Sequence, residues 1–169
     1  YHGTDLLWCA GGKFKLFGGT LHYGQLTKDD GSFNKTKFVD YSPTCFMLIN
    51  RKVFDAIGEM DEKYFVYFND TDFVWRAVKK AGLKLLYTYV PIVCHKVSAC
   101  TTSDGGSFKF HYMTRNLAYF SKKNFSKLRL FFVLSFNILW YLGSLCIHPS
   151  KPSIFRYVSY IIEGLRMKQ

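Results

Sequence analysis

Eighteen consecutive residues, "LFFVLSFNILWYLGSLCI" from Leu130 to Ile147, carry no formal charge. Such a run restricts its part of the chain to three outcomes: a helix crossing a bilayer, a helix lying in a membrane interface, or a helix buried in a core. Its length is at the short limit for crossing, and Ser135, Asn137 and Gly143 interrupt its apolar character. Lys122, Lys123, Lys127 and Arg129 precede it while Lys151 and Arg156 follow, so the positive-inside rule sets no orientation. Basic residues on both sides are explained most simply by a segment lying in or dipping into the cytoplasmic interface, held by anionic lipid. Length alone leaves the spanning and core alternatives open.

The rest of the composition narrows the class. The chain has 169 residues, 49% hydrophobic and 19% aromatic, enough for one folded domain with a proper core and unlike a disordered segment. Twenty-three Lys and Arg against twelve Asp and Glu leave a formal +11, which favours anionic partners: nucleic acid, acidic lipid or phosphate-bearing substrates. The five cysteines, Cys9, Cys45, Cys94, Cys100 and Cys146, form no C-x-x-C pair and fit a reducing compartment better than a disulfide framework. A zinc site from Cys94, His95 and Cys100 would lack the usual paired spacing. The chain begins at Tyr1 without a signal-peptide pattern and reads as part of a longer polypeptide.

Residues 1 to 40 alternate Gly pairs with short apolar pieces and predict loops and short strands. "CFMLINRKVFDAIG" predicts a buried strand, Cys45 to Ile49, then a short helix capped by Asn50 and ended by Gly58. A second helix is expected from about Thr71 to Ala81, with Phe73, Val74, Ala77 and Val78 on one side and Gly82 as terminator. "LKLLYTYVPIVCH" predicts an extended segment ending at His95, and "SACTTSDGGS", residues 98 to 107, a surface loop. Phe108 to Lys122 could form an aromatic helix capped by Ser107.

The acids Asp70 and Asp72 stand where the second helix begins. At the N-cap, Asp70 would accept from free backbone N–H groups and feel the positive end of the helix dipole, which favours its ionised form. An ionised carboxylate with a free lone pair is also what a general base requires. Local physics alone favours the cap. Arg115 and Asn116 could meet phosphate or lipid head groups, although a salt-bridged Arg is the commoner case.

The wider stretch "TCFMLINRKVFDAIGEMDEKYFVYFNDTDFVWRAVKKAGLKLLYTYVPIVCH", residues 44 to 95, resembles the C-terminal half of the inverting GT-A glycosyltransferases of family 2, especially the rhamnosyltransferase-like and galactofuranosyltransferase-like branches. Weaker echoes lie in "WCAGG", "HYMTRNLAYF" and "IIEGLRMK". The resemblance implies an α/β fold, the C-terminal part of a Rossmann-like GT-A domain. Residues 1–105 would form its acceptor-binding, base-bearing part and 106–169 a basic, aromatic, helical, membrane-associating region. It implies that Asp70 is the catalytic base for an acceptor hydroxyl, with Asp72 ordering the helix start and Arg76. Asn69 replaces the usual Glu, which puts acceptor preference in question. His95 would help to hold a divalent metal, Mg or Mn, bound to the diphosphate of a nucleotide sugar; its plain alternative is a strand-end histidine. Trp8, Gly11 and Gly12 fall at an acceptor-side loop, or else are core and turn residues.

The resemblance leaves a gap. The family's nucleotide-binding βαβ half and its acidic metal motif have no counterpart here, since the one D-x-D is Asp70-Thr71-Asp72 and no glycine-rich fingerprint follows a strand. The expected activity is sugar transfer with inversion from a nucleotide-diphosphate sugar to a saccharide or lipid-linked acceptor at the cytoplasmic face of a membrane. By itself the chain should not turn over donor. A non-catalytic acceptor-binding remnant is the first alternative. A nucleic-acid-binding protein is the second, and it lacks any recognisable reader motif, so nucleic acid is not expected as a partner.

Overall fold

Asn50, Gly58 and Gly82 punctuate the middle of the chain as their chemistry dictates. In the computed structural model, which describes residues 1–96 and 106–168, helix α1 (Arg51–Ile57) starts where the Asn50 side chain accepts from Lys52 N–H. It stops at Gly58, whose φ of 72° is open to a residue without Cβ. Helix α2 (Asn69–Trp75) runs directly into a π turn over Arg76–Lys80, and Gly82 then turns the chain at φ 66°. The expected helix is therefore present, but it begins two residues early. Phe68, left-handed at φ 65°, takes the N-cap position, and Asp70 falls inside the first turn.

The strands are short. Strands β1 (Gly12–Phe14) and β2 (Thr20–His22) form an antiparallel hairpin, and β3 (Lys37–Val39) pairs antiparallel with β4 (Leu85–Tyr87). A bridge from Gly12 to Tyr41 ties the two regions together. The expected buried strand at Cys45 to Ile49 does not form. Thr44–Phe46 makes a 3-10 turn, and the extended Met47 that follows has no ladder partner among the described residues. Met47 and Ile49 still pack on the Tyr41, Phe73 and Val74 cluster, while Phe46 and Leu48 face solvent. The alternation of a half-buried strand survives without a ladder, because it is held by side-chain packing of Met47 and Ile49 on one face. The extended segment before His95 is a ladder only at Leu85–Tyr87. The loop expected at 98 to 107 lies outside the described residues except for its last two positions.

Three helices complete the chain: α3 (Ser107–Asn124), α4 (Lys127–Ile147) and α5 (Ile154–Arg166). Ser107 is the first helical residue of α3 and makes no cap hydrogen bond, since Gly106 occupies the cap position at φ 86°. Ser126 and Ser153 do cap, accepting from Arg129 and Arg156 N–H. Aromatic packing joins all of this around α2. One side of α2 meets the hairpin and α1 through Tyr41, Phe73 and Val74. Its other side meets α3 through Trp75, Tyr64, Phe68, Tyr119 and Phe120. A third cluster, Ala118, Tyr141, Tyr157 and Ile161, holds α3, α4 and α5 together.

Gly164 lets α5 lie close against α3. A Cβ there would run into the Arg115 carbonyl and stand 3.0 Å from the Ala118 Cβ. Gly164→Ala is expected to separate α5 from α3 and to cost about 1–3 kcal/mol, the usual range for overpacking a tight contact. Chemical denaturation against the parent chain checks this. Helix α4 is different in kind: it is long and apolar enough to associate with a membrane, and 11% of its most apolar stretch is buried.

Candidate active site

The two acids of "NDTD" face different surroundings although they are two residues apart. Asp72 is completely buried. Its Oδ2 accepts from Arg76 Nε at 2.9 Å and Lys123 Nζ at 3.0 Å. Its Oδ1 accepts from Asn124 Nδ2 at 2.8 Å and Tyr64 OH at 3.2 Å. Arg76 in turn donates to the carbonyls of Ile57 and Glu59, so the ion pair also fixes the end of α1. Lys123 reaches Asp61 as well, at 2.8 Å. Burial raises the Asp61 carboxyl, but the bonds from Lys123, Tyr119 and Lys63 N–H outweigh it and leave the net shift downward. Each Asp72 oxygen is taken up twice by donors, and no solvent reaches it. That carboxylate is structural.

Asp70 is half-buried, and its bonds are fewer. Oδ1 accepts from Thr71 N–H at 2.7 Å and the Thr71 hydroxyl at 3.3 Å, and Oδ2 accepts from Tyr41 OH at 2.9 Å. The expected cap geometry is thus replaced by a local bond to the next residue, because the helix has already begun at Asn69. Tyr41 is almost fully buried, and burial together with the Asp70 charge pushes its phenol far up, so it remains a donor. One oxygen of Asp70 keeps a lone pair beside the Tyr41 bond.

Tyr41 also connects Asp70 to residues distant in sequence. The His22 ring stacks near Tyr41 at 5.7 Å, Trp8 meets His22 edge-on at 5.4 Å, and His95 lies against Trp8 at 4.2 Å. Burial lowers the His22 imidazole, whose Nδ1 is enclosed without a hydrogen-bond partner among the described residues. Trp8 and His95, both singled out from sequence, are therefore in contact, and both line a trough of about 810 Å3. Cys9 and Cys45 line it too, and burial, then the charges of Cys45 and Asp70, push the Cys9 thiol up to about 11. Gly11 and Gly12 are buried beneath this row. A Cβ on Gly11 would press on Val39 and one on Gly12 on the Leu21 carbonyl, so the glycines let β1 run close enough to hold Tyr41.

Asn69 opens α2 and lines a smaller hollow of about 330 Å3 with Met60, Asp61, Glu62 and Phe65. Sequence reading missed Tyr41 and His22; the signal was weak, since one Tyr and one His in glycine-rich surroundings carry no spacing motif. It also missed the work of Asn116. This residue is fully buried and donates through Nδ2 to the carbonyls of Tyr64, Val66 and Tyr67 at 2.9, 2.7 and 3.0 Å. Its Oδ1 accepts from Arg115 Nε at 2.9 Å, and Arg115 reaches the Lys63 and Tyr64 carbonyls. The pair holds the loop before Asp70 instead of facing a head group.

His95 does not by itself make a metal site, and among the described residues no group of three or more His, Cys, Asp or Glu is placed to hold one. The described cysteines, Cys9, Cys45, Cys94 and Cys146, are free. No family model, no curated protein and no solved structure matches this chain.

Proposed function

We propose that this chain is the acceptor-side, base-bearing half of an inverting glycosyltransferase of the family 2 type, working at the cytoplasmic face of a membrane on a saccharide or lipid-linked acceptor. The observation that carries the reading is the division between the acids: Asp72 is saturated and buried, whereas Asp70 is half-buried, holds fewer donors and is oriented by Tyr41 and Thr71. A base needs that combination of fixed direction and open lone pair. In the reaction, Asp70 takes the proton of an acceptor hydroxyl as its oxygen bonds to the anomeric carbon, and the bond to the nucleoside diphosphate breaks on the opposite face.

The exposed strand-like face around Phe46, Leu48 and Leu86 further supports the reading. An unpaired extended segment with outward apolar side chains suits a covering α/β unit that binds the nucleotide. A divalent metal would supply charge at the leaving diphosphate, with His95 the candidate ligand that the resemblance points to, and no proton step here depends on it. An acceptor-binding module without catalysis is the second reading, favoured by Asn69 in place of Glu.

With a nucleotide-binding half supplied in cis or in trans, Asp70→Asn is expected to lower transfer about 10²–10⁴-fold while donor binding persists. Transfer near the parent rate would remove Asp70 as base. Saccharide binding without any transfer by the parent chain would favour the module.

A further inference from the structure

Helix α4 has two apolar faces, and they meet different things. The inner face meets protein at points from Arg129 to Leu145, with Phe136 at its edge stacked also on Trp140. Arg129 donates to the Leu16 carbonyl at its start, Val133 packs near Gly18, and Phe136 stacks on Phe17 with ring centres 4.0 Å apart. Asn137 donates to the Phe17 carbonyl at 3.0 Å, and farther along Tyr141 stacks on Tyr157 and donates to the Pro152 carbonyl at 2.6 Å. The outer face carries Leu128, Phe131, Phe132, Leu139, Trp140 and Ile147, each more than half exposed. Residues 106 to 169 contain ten Lys or Arg and a single acid, Glu163; Arg115 and Lys123 are engaged inside the fold, whereas Lys127, Lys151 and Arg156, at the start of α4 and just beyond its end, are exposed.

The position of Asn137 decides between orientations. It is the central residue of Lys127–Ile147 and is bonded to the turn joining β1 and β2, which carries Lys15 and follows Lys13. A spanning helix would bring its centre to the bilayer midplane, and that turn with its lysines would be drawn into hydrocarbon. A helix lying flat keeps the turn and the rest of the protein on the aqueous side while its outer face enters the acyl boundary. We propose that α4 lies in the plane of an anionic membrane surface, with Phe131, Phe132, Leu139 and Trp140 inserted and the exposed Lys127, Lys151 and Arg156 on lipid phosphates. This deepens the membrane part of the function proposed above and does not depend on Asp70.

The test uses the whole chain with phosphatidylcholine vesicles, with and without phosphatidylglycerol, and tryptophan quenching by lipids brominated near the headgroup end or the methyl end of the acyl chain. Binding is expected to require the anionic lipid and to weaken at about 1 M salt, where screening lengths fall to ~3 Å. Trp140 should be quenched more by the shallow bromines, and Trp140→Phe should remove most of the lipid-dependent change. Leu139→Glu combined with Trp140→Glu changes side chains that are 68% and 72% exposed, so the fold is retained by circular dichroism while vesicle binding falls roughly tenfold or more. Stronger quenching by the deep bromines would overturn the in-plane orientation in favour of spanning. Failure to bind either vesicle, or a dimer that hides Trp140 and is broken by the double variant, would overturn lipid as the occupant. Asp70→Asn should bind vesicles like the parent, which separates failure of this inference from failure of the transfer reading.

Discussion

Asp72→Ala is expected to lower the unfolding free energy by about 3–5 kcal/mol, a large share of what a domain of this size holds. The reason is the company Asp72 keeps. Its removal leaves Arg76 and Lys123 without their buried counter-charge and Tyr64 and Asn124 without an acceptor. Lys123 would retain Asp61, but Arg76 would keep the carbonyls of Ile57 and Glu59 and the Phe73 ring, with no counter-charge. Asp72→Asn preserves shape and one acceptor oxygen yet removes the charge, so its cost should fall below that of Ala and well above zero. Urea unfolding followed by Trp75, which sits in the adjoining aromatic cluster, measures both. A change for Asp72→Ala within about 0.5 kcal/mol, as for an ordinary surface substitution, would show that the network carries little net stability.

Asn116→Asp should be the second large loss, on the order of 3 kcal/mol, with the same number of heavy atoms and one functional change. The amide donors become a carboxylate facing the carbonyls of Tyr64, Val66 and Tyr67; the Tyr64 carbonyl keeps Arg115 and Val66 N–H, while those of Val66 and Tyr67 lose the Asn116 donor. Those carbonyls belong to a loop in which Phe65, Tyr67 and Phe68 all hold positive φ, at 60°, 59° and 65°. For bulky residues each such conformation costs on the order of 1–3 kcal/mol and persists where surroundings over-determine it. Asn116 supplies much of that determination from α3. Besides a lower unfolding midpoint, the variant should show faster amide exchange across residues 64 to 68 than across α5. Uniform exchange rates in both segments would indicate that other contacts hold the loop. Because the loop delivers Phe68 as the start of α2, its release should also disturb the bond from Tyr41 to Asp70.

How far the sequence reached can be judged from these same residues. Asn50 and Gly58 bounded α1 as read, because capping and left-handed turns depend on one or two neighbouring residues. The apolar run from Leu130 fell within one helix, since a long uncharged stretch has few alternatives. The strand at Cys45 to Ile49 was misread because its pattern marks a face to be covered and cannot say whether a partner strand is present. The start of α2 was misplaced for a related reason: Asp70 looks like a cap locally, but buried Phe68 and the Asn116 clamp begin the helix earlier.

The sequence by itself determined that an aromatic helix would follow residue 107 and that the run from Leu130 would be helical, where Asn50, Gly58 and Gly82 would start and stop elements, and that two acids would sit at a helix start. Those features depend on short-range sterics, hydrogen bonding and periodicity. Only the tertiary structure decided which acid is buried and saturated with donors. Asp72 is consumed by Arg76, by Tyr64 and by two residues of α3, while Tyr41 reaches Asp70 from the hairpin side. These partners lie 4 to 52 residues away, and most are brought in by packing of aromatic faces that carry no record of their pairing in the local sequence.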